Sequence, residues 1–179
     1  MQTASQISIS RALEALSAKK NPIRFLDYQE CIRDLIVNEH VQRMGDFMQH
    51  GNVTCLEHCL NVSYSSYSIC RLLGLDHYSA ARGALLHDFF LYDWHVKEDI
   101  IGVHAFDHPS TALKNAEKHF SLNKIERDII KKHMWPLTLS FPKYAESLLV
   151  TFVDKYATLL EVFRKYSAEP APIQDNPKP

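Results

Sequence analysis

Apolar residues recur at intervals of three and four along almost the whole chain, a spacing that leaves room for little besides packed helices. No run alternates apolar and polar residues between turn signals, as half-buried strands do. Only five glycines interrupt 179 residues. The pattern predicts an all-α fold, a single compact helical bundle, and the length suffices for one genuine core.

The local signals divide that bundle. A short helix is expected over residues 8–19, ending before Asn21-Pro22, and a second over 26–49, stopped by Gly51. Thr54-Cys55-Leu56-Glu57 has the form of a capping box and should start a third helix, carrying Leu56, Leu60, Tyr64, Tyr67 and Leu72. Gly74 stands where a left-handed residue would end it. Asp76 can cap a fourth helix reaching about residue 91. Its centre, from Ala80 to Phe90, is small and apolar, so it should be the most buried. Residues 92–106 read as a loop over a site or a short broken helix. Helices are expected again over 109–119 and over 123–134, the latter opened by Asn123-Lys124-Ile125-Glu126 and closed by Pro136. Pro142 suits the first turn of a last helix reaching about residue 166. The tail, 169–179, holds four of the eight prolines and is expected to be disordered. The division is thus an N-terminal helical segment, 1–22, a helical domain, 23–167, and a tail, 168–179.

Charge excludes several functions. Twenty Lys and Arg stand against 21 Asp and Glu, so no basic field recommends a nucleic-acid polymer or anionic lipid. No apolar run approaches the roughly 18 residues of a membrane span. Residues 1–10 lack the charged leader and apolar stretch of a signal peptide, which makes a cytoplasmic location the expectation. Cys31, Cys55, Cys59 and Cys70 are too few for a disulfide scaffold. Cys55 and Cys59 flank His58, but no second pair of ligands exists for a Cys/His zinc site, so reduced structural thiols are expected.

Ten histidines are the unusual feature. His87-Asp88 sits in the small, apolar fourth helix, where a charged Asp is costly unless paired or metal-bound. Adjacent helical residues point roughly 100° apart, so the two would grip one ion from the helix edge. A partly exposed helix end explains the dipeptide equally simply. His58 lies four residues after its cap. Asp154 is surrounded by Leu148, Leu149, Phe152, Val153, Leu159 and Leu160, and asks for a partner or a solvent-facing position beside Lys155. His108 precedes Pro109, with His104 one turn earlier. His133 ends its helix, where the helix dipole alone would favour it.

The order His58, His87-Asp88, His108, His133, Asp154 resembles the HD-domain superfamily of metal-dependent phosphohydrolases. That pattern has a His, a later His-Asp pair and a distant Asp, with two further histidines between them in two-metal members. The likeness spans about residues 54–165, and Asp107-His108-Pro109 resembles the His-Pro that opens the relevant family helix. It implies that His58, His87, Asp88 and Asp154 hold one metal, and that Asp88 bridges to a second held by His108 and His133. His87 and Asp88 would then form the catalytic centre. Imidazoles and carboxylates suit Fe, Mn, Zn, Co or Ni, and such cations make hydroxide available at neutral pH.

The chain departs from many phosphodiesterase members of that family. Where they carry His-Asp-x-Gly-Lys, it has His87-Asp88-Phe89-Phe90-Leu91, without the phosphate-binding lysine. The Gly-Tyr-Pro motif is also missing, so cyclic di-GMP is not the expected substrate. Tyr92-Asp93-Trp94-His95 would line a pocket or anchor a surface loop. Lys97, Arg82, Lys131, Lys132 and Lys155 are candidate phosphate contacts, each also readable as solvated surface. The leading expectation is hydrolysis of a nucleotide or other small phosphate ester by metal-activated hydroxide. Two alternatives stay open: a di-iron oxygenase cleaving C–C or C–P bonds with the same ligands, and a non-catalytic HD-like ligand-binding module. Exposed helix faces leave room for a homo-oligomer.

Overall fold

The computed structural model describes residues 13–14, 22–50, 52–91 and 104–168. The helix expected over 8–19 therefore lies outside the described residues except at 13–14, as do residues 92–103 and the tail. In chain order come α1 (Pro22–Cys31), α2 (Arg33–Ile36), α3 (Glu39–Gln42), a 3₁₀ turn (Arg43–Asp46), β1 (Met48–His50) and β2 (Val53–Thr54). The long elements follow: α4 (Cys55–Leu73), α5 (His77–Leu85), α6 (His104–His119), α7 (Lys124–Lys132) and α8 (Ala145–Ala168). The fold is all-α but for one small antiparallel pair, with Met48 opposite Thr54 and His50 opposite Val53. Among the described residues, no helix is long and apolar enough to cross a membrane.

The helix expected over 26–49 is three short helices, a 3₁₀ turn and a strand. Ile32, Leu35, Val41 and Met44 are buried, as their spacing predicts, while Leu26, Val37 and Met48 are exposed. The backbone nevertheless breaks at Ile32, which leaves helical geometry, and at Asn38, whose side chain accepts from the His40 N–H and starts a new helix. A polar side chain that bonds nearby backbone competes with the helix ladder.

α4 runs through the centre of the bundle, packed against α5 and α8. Both limbs of its capping box form: Thr54 Oγ1 accepts from the Glu57 N–H at 3.3 Å, and Glu57 Oε2 accepts from the Thr54 N–H at 2.9 Å. Gly74 ends the helix with φ +71°, the left-handed conformation that glycine adopts without steric cost. Asp76 caps α5 through the Ser79 N–H at 2.9 Å. Asn123 and Glu126 form the second expected capping box, on α7. Cys55, Cys59 and Cys70 are buried free thiols, and Cys31 is half-buried.

Four expectations need correction. α5 ends at Leu85, not near residue 91, so His87 and Asp88 lie in the turn beyond it. α6 starts at His104, ahead of Pro109, which therefore lies inside the helix as its sixth residue and gives up one backbone hydrogen bond there. α8 begins at Ala145, three residues after Pro142; the Lys143 N–H is already taken by Asp128 Oδ2 at 2.7 Å. Arg82 is not solvated surface. It is buried, with Nε 3.0 Å from Glu126 Oε1 and a forked pair to Asp34, joining the N-terminal helices to α7.

The small residues of α5 do allow close approach. A Cβ at Gly83 would lie 2.7 Å from Cδ1, 3.0 Å from Cβ and 3.1 Å from Cγ2 of Ile129 on α7. Gly83→Ala should therefore lower stability by about 1–2 kcal/mol, overpacking outweighing the gain in helix propensity. Adding Ile129→Val, which removes Cδ1, should recover part of the loss in thermal denaturation.

Buried Asp128 also receives Lys132 Nζ at 2.6 Å. Burial alone would raise its pKa, but these donors hold it below the ordinary carboxylate value. Its stabilisation is thus complete above the unfolded pKa of about 3.9 and lost as pH falls through the lower folded value. The Tm difference between the protein and Asp128→Asn should be constant near neutral pH and shrink below about pH 4.

Candidate metal centre

Five separate elements deliver six side chains to one buried place. α4 supplies His58, the turn after α5 supplies His87 and Asp88, α6 supplies His108, the C-cap of α7 supplies His133, and α8 supplies Asp154. None is more than 7% exposed.

Hydrogen bonds to backbone orient two of the rings. His87 Nδ1 lies 2.7 Å from the Ala84 carbonyl and His133 Nδ1 lies 2.9 Å from that of Ile130. A carbonyl only accepts, so each Nδ1 carries its proton and each Nε2 is left facing the acids. His87 Nε2 sits 3.4 Å from Asp88 Oδ2 and 3.5 Å from Asp154 Oδ1. His133 Nε2 sits 3.4 Å from Asp88 Oδ1, and His108 Nε2 sits 3.2 Å from the same oxygen and 2.8 Å from His133 Nε2. His58 is held from both sides, Nδ1 at 2.9 Å from Glu161 Oε2 and Nε2 at 3.1 Å from Asp154 Oδ1.

These separations fit a cation. Metal–nitrogen and metal–oxygen bonds of about 2.0–2.2 Å place neighbouring donors roughly 3.0–3.5 Å apart. Two groups bring their ligand atoms within 4.8 Å of one another: His58, His87 and Asp88, with Asp154 against them, and Asp88, His108 and His133. Asp88 belongs to both. Its Oδ1 and the Nε2 of His87 are buried without a hydrogen-bond partner, and each such orphan costs about 1–3 kcal/mol. A cation in each group would satisfy them, one at His87 Nε2 and one at Asp88 Oδ1.

The electrostatics run the same way. Burial opposes the charged forms of Asp88 and Asp154, yet the surrounding histidines hold both carboxyls well below the usual range. Burial likewise opposes charge on His58, but Asp154 and Glu161 raise it well above the ordinary imidazole value. Burial lowers His133, which favours the neutral ring that ligates. In the metal-free protein, a proton on His58 Nε2 occupies the position from which the lone pair would bind an ion.

The sequence reading overlooked two residues. Glu161 lies seven residues beyond Asp154, two turns along the same face of α8, and that spacing was a usable signal. Gln49 Nε2 donates to Asp88 Oδ2 at 2.6 Å from β1, a strand no pattern announced. Lys155, read as solvated surface, is instead partly buried and donates to the His133 carbonyl at 2.9 Å, burial lowering its pKa. Lys132 pairs with Asp128, and Lys131 donates to Ser110 Oγ at 2.6 Å on the exposed side of α7. Lys97, Tyr92, Asp93, Trp94 and His95 lie outside the described residues, as does the side chain of His104. No family model, curated protein or solved structure matches the chain.

A carboxylate behind a ligating imidazole fixes its tautomer and raises its basicity. Glu161→Gln should weaken metal binding by about 10–100-fold in a chelator competition, the fold remaining intact by circular dichroism.

Proposed function

We propose that this chain is a metal-dependent phosphohydrolase of the HD-domain kind, acting on a nucleotide or other small phosphate ester. The observation that carries the reading is Asp88, one carboxylate shared by two donor groups, in the residue order His58, His87-Asp88, His108, His133, Asp154. His58, His87, Asp88 and Asp154 would hold one ion, and Asp88, His108 and His133 a second. The metal supplies an acidified water as nucleophile and a counter-charge for phosphate oxygens.

The chain's own groups prepare that chemistry. Gln49 pins one oxygen of Asp88, so the carboxylate cannot turn both oxygens toward one ligand group. Ala84 and Ile130 fix the rotations of His87 and His133, and Glu161 fixes His58. The ligands thus meet the substrate already oriented, which lowers the reorganisation needed during reaction. Lys155, one residue from Asp154, donates to the His133 carbonyl and so steadies the backbone of a ligand residue.

The test combines metal analysis of protein never exposed to chelators with a panel of phosphate mono- and diesters. Bound transition metal and metal-dependent phosphate release are expected, and Asp88→Ala should abolish both. Turnover surviving in Asp88→Ala would exclude this centre. Oxygen consumption with a phosphonate or polyol, without ester hydrolysis, would transfer the assignment to the di-iron oxygenases that share the ligand set.

A further inference from the structure

α8 buries one face, largely polar, in the described fold and leaves the opposite, apolar face exposed. The inner face carries Ser147, Val150, Asp154 and Glu161, all buried. The outer face carries Phe152, Tyr156, Leu159 and Phe163, which are 56%, 64%, 53% and 60% exposed. Their spacing of four, three and four residues is a heptad seam, the pattern that seats one helix against another. At roughly 100° per residue, this seam lies about opposite Asp154 and Glu161.

The apolar surface continues beyond the helix. Trp135 meets Phe152 edge-on at 6.4 Å and Phe141 at 5.1 Å, and beside them Leu137, Leu139 and Phe141 are exposed. An aromatic side chain presents about 150–250 Å², so these half-exposed groups together leave on the order of 800 Å² of apolar surface. Monomers rarely expose more than a few hundred Å² in one patch. A standard interface takes about 800 Å² from each partner.

We propose that this face binds a second copy of the chain, the two α8 helices packing antiparallel across a two-fold axis. With the axis between residues 157 and 158, Phe152 faces Phe163 of the second copy and Tyr156 faces its Leu159. The seam is therefore its own complement, as an isologous interface requires. Its charges are compatible too. Lys155 would lie opposite Leu160, and its ammonium is already turned to the His133 carbonyl, while Asp154 and Glu161 point into the protomer. Among the described residues, no like charges are brought together along the seam. The partner's last turns would run toward Leu137, Leu139 and Phe141, extending the contact at both ends. The dimer would leave the metal ligands on the inner side of each α8.

Sedimentation of the full chain at about 2 and 100 µM tests the assignment. A dimer is expected, and Tyr156→Lys or Leu159→Glu should each weaken it at least tenfold, with helicity unchanged because both side chains are exposed. Mixing the two variants should restore dimers: the lysine introduced in one copy then faces the glutamate introduced in the other, and the symmetry-related contact is native. A wild-type monomer at 100 µM would overturn the proposal, as would a dimer indifferent to both substitutions or one not restored by mixing. A monomer that instead binds phosphatidylglycerol vesicles would reassign the face to lipid.

Discussion

A carboxylate buried among imidazoles is the constraint around which this molecule is arranged. Asp88 has lost its water, and a lone buried charge would be driven to neutralise. Three rings and one amide converge on it instead, so it remains ionised. That convergence requires α6, the end of α7 and the turn after α5 to meet at fixed angles, with Asp154 and His58 closing the other side. The helices are thus held in register by a polar knot as well as by their apolar faces. A site with two unsatisfied buried atoms is a poor way to stabilise a bundle and a good way to bind a cation.

The orientation of the knot comes from ordinary backbone groups. The turn that ends α5 leaves the Ala84 carbonyl available to His87, and the last turn of α7 leaves that of Ile130 available to His133. Helix ends always present such unused carbonyls. Placing ligand histidines three residues after them gives each ring a fixed tautomer without any added side chain. His58 sits in the first turn of α4, whose carbonyls are bonded within the helix, and takes a carboxylate from Glu161 in their place.

α8 joins the two halves of the functional picture. Its inner face supplies Asp154 and the support for His58, so its position against α4 affects ligand geometry directly. Its outer face carries an apolar seam of the kind that helices cover. A partner bound there would damp motion of the helix that holds two of the acidic groups, with no contact to the ions themselves.

Much of this was readable in the chain. Helical spacing announced the fold class, both capping boxes and Gly74 formed as local chemistry dictates, and the small residues of α5 marked a close packing. The six histidine and aspartate positions were singled out by their order along the chain, each one alone being readable as a helix end or a solvent-facing group. Such inferences succeed where a residue's effect is exhausted within a turn or two of backbone. The break of the 26–49 segment, the strand that carries Gln49, the burial of Arg82 and the tether of Lys155 were illegible. Each depends on a group tens of residues away, and local periodicity carries no record of which distant donor or acceptor will arrive. The residue types able to hold a cation were determined by sequence. Their meeting within one coordination sphere was decided by tertiary structure, because only packing sets distances between separate elements.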